Sequence, residues 1–63
     1  MRWFVVAGKK RQVLLMPGAV ESIQEVGSED AERPRARCRI TMMSGADHYV
    51  MADVQEVAQW LSQ

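Results

Sequence analysis

From Arg33 to Met42 the chain reads Arg-Pro-Arg-Ala-Arg-Cys-Arg-Ile-Thr-Met, with cationic and apolar residues alternating at a period of two. Successive side chains of a β-strand point to opposite faces, so the run belongs in a strand; no helix would sort it so cleanly. Arg35, Arg37 and Arg39 then line one face, and Ala36, Cys38, Ile40 and Met42 the other. One stretch thus predicts a strand running from Arg35 to Met43, a core face and a candidate anion-binding face.

The rest of the chain supplies elements for that strand to pair with. Arg2 to Ala7 is a strand by its β-branched and aromatic content. Gly8-Lys9-Lys10 is a short polar turn, and Arg11 to Met16 returns as the second strand of a hairpin. Pro17-Gly18 marks a turn, after which Val20 to Val26 forms a strand. The polar stretch Gly27 to Pro34 is a solvated loop. Ser44 to Asp47 turns the arginine strand into a last one, His48 to Met51. Asp53 is then an N-cap with Glu56 at capping-box spacing, and Val54, Val57, Ala58 and Leu61 form one apolar helical stripe. The expected fold is mainly β (α+β): a small antiparallel meander of four to five strands with one C-terminal helix.

At 63 residues a single domain spanning 1–63 is expected. A chain of this size buries only about 60% of its unfolded surface, so its core is thin. Both faces of the first hairpin are nonetheless apolar. Trp3, Val5 and Ala7 alternate with Phe4 and Val6, and Val13 and Leu15 with Leu14 and Met16. One short helix covers one face. The other needs strong curling of the sheet or a second subunit, which makes a homo-oligomer the expected state. Trp3, Phe4, Val6, Leu14 and Trp60 are therefore assigned to core or oligomer interface.

Several function classes recede on composition. One cysteine allows neither an internal disulfide nor a multi-cysteine metal site, and one histidine adds no zinc set. No metal or cofactor is expected, and a lone thiol suits the cytoplasm. Lys9, Lys10 and Arg11 end the first apolar run short of a signal-peptide core of about 7–15 residues. No run approaches the roughly 20 apolar residues of a membrane span, so no membrane association is expected. A net charge of zero argues against a dedicated nucleic-acid binder, although Glu29, Asp30 and Glu32 are segregated from the arginines. Cys38 and His48 are a weak nucleophile–base pair, because Cys38 points to the core and lies at the far end of its strand from His48. The chain is not expected to be an enzyme.

The arginine face is the leading candidate site. Side chains two apart on a strand sit about 6.5–7 Å apart, a spacing that suits phosphates or carboxylates. Lys9, Lys10 and Arg11 extend the surface if their turn lies at the same end, and Met43 joins the arginine side by alternation. The plain alternative is a solvated face, its arginines neutralised by Glu21, Glu25 and Asp47. Whether the Glu29–Glu32 loop masks the arginines stays open.

The run Val20-Glu21-Ser22-Ile23-Gln24-Glu25-Val26, then Cys38-Arg39-Ile40-Thr41-Met42-Met43-Ser44-Gly45, Tyr49-Val50-Met51 and the helix Val54 to Leu61, resembles the small FlbD-type flagellar and swarming proteins and their bacterial and phage relatives. The resemblance covers about fifty residues, with a longer loop at Gly27 to Arg37 and Ala46-Asp47-His48 in place of a Lys-rich segment. It implies a meander plus helix in a regulatory or accessory protein and carries no catalytic residues. Function is expected to be regulatory or adaptor binding of a protein partner; the alternative is a homo-oligomeric binder of an anionic ligand, nucleotide or nucleic acid.

Overall fold

The computed structural model describes residues 1–27 and 35–63. The expectations for Ser28 to Pro34, including the Glu29–Glu32 loop, lie outside the described residues. Five strands form two antiparallel sheets: β1 (Arg2–Val5) with β2 (Gln12–Leu15), and β3 (Val20–Glu25), β4 (Cys38–Met42) and β5 (Asp47–Val50) in the order β3-β4-β5. One helix, α1 (Val54–Leu61), follows. The architecture is the expected one, mainly β with a C-terminal helix.

The turns follow from local chemistry. Gly8 at φ 77° and Gly45 at φ 92° hold the left-handed conformation that the β1–β2 and β4–β5 turns require. Pro17 to Ala19 make one 3-10 turn between β2 and β3. At the other end of the chain, the Asp53 carboxylate accepts the Gln55 N–H at 2.7 Å and the Glu56 N–H at 3.2 Å, capping α1 as its spacing predicts. Glu56 itself reaches across to β1, where its carboxylate pairs with Arg2.

Among the described residues, a single isolated antiparallel bridge, Val6 with Val50, joins the sheets. The Ala7 N–H donates to the Tyr49 carbonyl at 2.8 Å, and the Met51 N–H to the Val5 carbonyl at 3.1 Å. The strands therefore lie in the spatial order β2-β1-β5-β4-β3. Laid flat, five strands would hold β2 and β3 about 19 Å apart. The link from Leu15 to Val20 reaches at most about 18 Å fully extended, and its 3-10 turn shortens that further. The sheet must curl.

Curling creates an inner face, and α1 closes it. Phe4, Leu15, Cys38, Ile40, Met42, Val50, Val57 and Trp60 make one buried cluster drawn from both sheets and the helix, with Val20 and Ile23 of β3 packed against it. Alternation along the arginine run is realised: Ala36, Cys38, Ile40 and Met42 are all buried. The helix differs from the expected stripe. Trp60 is buried and Ala58 exposed, because the indole has far more apolar area to hide than a methyl group. Its ring meets Phe4 edge-on, centroids 5.0 Å apart at 73°.

The first hairpin is resolved into two unlike faces. Phe4 and Leu15 turn inward and are buried. Trp3 and Leu14 are partners in register on the outer face and stay exposed, and Val6 at the seam is half-buried. Curling thus covers one side of the ribbon and leaves the other open.

Candidate functional site

The three arginines expected on one strand have three different environments. Arg39 is the one within β4. It lies in register between Gln24 and Tyr49 and donates to the Gln24 side-chain carbonyl. Its Nε is buried and without a partner among the described residues, its Nη2 is held by Gln24, and the residue is half-buried. Arg37 precedes β4 but still pairs through its backbone, its N–H donating to the Val50 carbonyl at 2.9 Å and its carbonyl accepting from Val26 at 3.1 Å. Its side chain is exposed. Arg35 has left the ladder for a turn, so the strand begins later than alternation alone predicts.

Leaving the strand takes Arg35 to new neighbours. Arg35, Lys9, Lys10, Gly8 and Met51 line a hollow of about 280 Å³. The Val6–Val50 seam explains why: it carries the β1–β2 turn alongside the residues that follow β5. Arg35 and Met51 also border a larger cleft of about 780 Å³, which runs on past Arg37, Ala36 and Val26 to Asp53 and Gln55 at the start of α1. Lys9, Lys10, Arg35 and Arg37 therefore gather at one end of the molecule, with Met51 between the hollow and the cleft. Among the described residues, none of these four cations is paired with a carboxylate; the ion pair is Arg2 with Glu56.

Other expected members of the site lie elsewhere. Arg11 is exposed where the turn enters β2 and does not line the hollow. Met43 is exposed in the β4–β5 turn, at the opposite end of β4 from Arg37, roughly 20 Å away at strand spacing. Asp47 accepts from the Thr41 hydroxyl at 2.8 Å and pairs with no arginine among the described residues. Sequence reasoning passed over Met51, whose position just beyond a strand that crosses the seam was its one signal.

Cys38 is fully buried, and burial pushes its thiol above the usual value despite a hydrogen bond from the Gln24 backbone; Asp53 pushes it the same way. It is in register with Val50, whereas His48 is in register with Ile40, two positions along. A buried, protonated thiol is a poor nucleophile. Among the described residues no helix is long and apolar enough to cross a membrane. Set against known proteins, the chain matches no family model, no curated protein and no solved structure.

Proposed function

We propose that this chain is a small non-enzymatic regulatory or adaptor protein that docks a protein partner on its basic end. The partner presents carboxylates to Lys9, Lys10, Arg35 and Arg37 and an apolar side chain to Met51. One observation carries the reading: cations distant in sequence converge on a single hollow beside an exposed methionine. Arginine forks select carboxylates, while a flexible thioether adapts to apolar shape. The resemblance to FlbD-type proteins fits the same class, and a lone buried thiol fits work in the cytoplasm.

Capture of a nucleotide or nucleic acid is the weaker reading. The larger cleft has room for a nucleotide, but Glu25 and Asp53 line it beside the arginines and oppose a polyanion. A protein surface of mixed charge suits such a border better.

The test is affinity capture with the wild-type chain and with Lys9→Glu/Lys10→Glu/Arg35→Glu. The wild type should retain a defined partner whose binding weakens with salt, and the variant should lose it. Equal retention of that partner by both chains would reject the basic end as the site. Native mass spectrometry showing a phosphate-bearing ligand would move the assignment to anion capture.

A further inference from the structure

We propose that the outer face of the β1–β2 ribbon is the surface on which a second copy of this chain packs, face to face. Trp3 and Leu14 are partners in register there, and Val5 lies on the same face two positions along. Met1 and Met16 continue the face by alternation. Trp3 is 59% exposed, Leu14 40%, Met16 59% and Met1 76%. Together these side chains present on the order of 500 Å² of apolar surface, taking about 200 Å² for a whole large side chain.

Area argues for a second copy. Two such faces in contact bury on the order of 1,000 Å², the lower bound for a specific interface. Charge argues the same way. The one polar side chain on the strand portion of the face is Gln12, opposite Val5, and no strand residue there is charged. The chain is also neutral overall. A charged face repels its own copy, whereas an uncharged apolar face is complementary to itself under a two-fold axis. Tryptophan and methionine are also the residue types enriched in interface centres. The resulting sandwich stacks two ribbons about 10 Å apart and leaves the basic end of each protomer outside it.

Sedimentation equilibrium at tens of micromolar tests this on the full chain. The wild type should sediment as two chains. Leu14→Lys places a cation in the centre of the face and should weaken association at least about 100-fold, with an unchanged circular dichroism spectrum. Should Leu14→Lys fail to fold, Met16→Lys, which lies outside both strands, should weaken association in the same direction. A single-chain mass at tens of micromolar would overturn the proposal, whether or not another protein covers the face. So would a dimer that survives the charged variants at wild-type strength.

Discussion

The two faces of the β1–β2 ribbon are built from the same kinds of residue and have opposite fates. Inward, Phe4 and Leu15 are buried against Trp60, Val57 and the β4–β5 side chains. Outward, Trp3 and Leu14 are as apolar and remain exposed. Hydrophobicity therefore did not choose between the faces. The choice was made by topology: the short link from β2 to β3 requires the sheet to curl, and α1 closes the inner face of that curl. An apolar pattern reports that a face wants cover, and only topology reports whether the chain supplies it.

The sharpest way to break this comparison is to truncate one ring on each face. Phe4→Ala should cost about 3–5 kcal/mol, enough to unfold much of so small a domain. Trp3→Ala, measured at low protein concentration, should change stability by less than about 1 kcal/mol. Chemical denaturation followed by circular dichroism reads both, and equal losses would erase the distinction between the faces. A milder test acts through the helix. Asp53→Ala removes the cap and should cost about 1 kcal/mol. It should loosen the Trp60 environment, seen by near-ultraviolet circular dichroism, more than that of Trp3. The smallest effect belongs to Cys38. Its folded pKa lies above its ordinary value of 9.0, so as pH rises the unfolded chain loses its proton before the folded one does. The stability Cys38 contributes is thus fully present below the unfolded pKa and is lost as pH climbs through the folded value. Cys38→Ala should flatten the alkaline limb of a stability–pH profile by up to one proton and leave its slope at neutral pH unchanged.

Much of the fold was legible wherever neighbours in sequence decide the outcome. Alternation placed Ala36, Cys38, Ile40 and Met42 in the core, Gly8 and Gly45 marked turns, and Asp53 marked the start of α1. Both apolar faces of the first hairpin were legible too. The candidate site was harder to read, because it depends on the Val6–Val50 seam. No local pattern says that the turn after β1 lies beside the residues after β5, so Lys9 and Lys10 could join Arg35 only on a condition the sequence left open, and Met51 was missed. Arg35 leaves the ladder for a turn that alternation alone did not reveal. On the helix it was Ala58 that was misplaced, because the apolar stripe counted positions and ignored how much area each side chain offers; Trp60, assigned to core or interface, is buried.

That seam has a consequence for the chain as it is being made. It pairs Val6, beside the first hairpin, with Val50 at the end of β5, and the partners of Phe4 and Arg2, Trp60 and Glu56, emerge later still. Long-range closure of this kind is slow relative to hairpin formation. Until β5 and α1 have been made, the first hairpin therefore exists as an isolated two-stranded ribbon with neither face covered, a species only marginally stable in water. During that interval the ribbon shows solvent two apolar faces instead of one, and like charges at its tip, such as those of Lys9, Lys10 and Arg11, oppose edge-to-edge association.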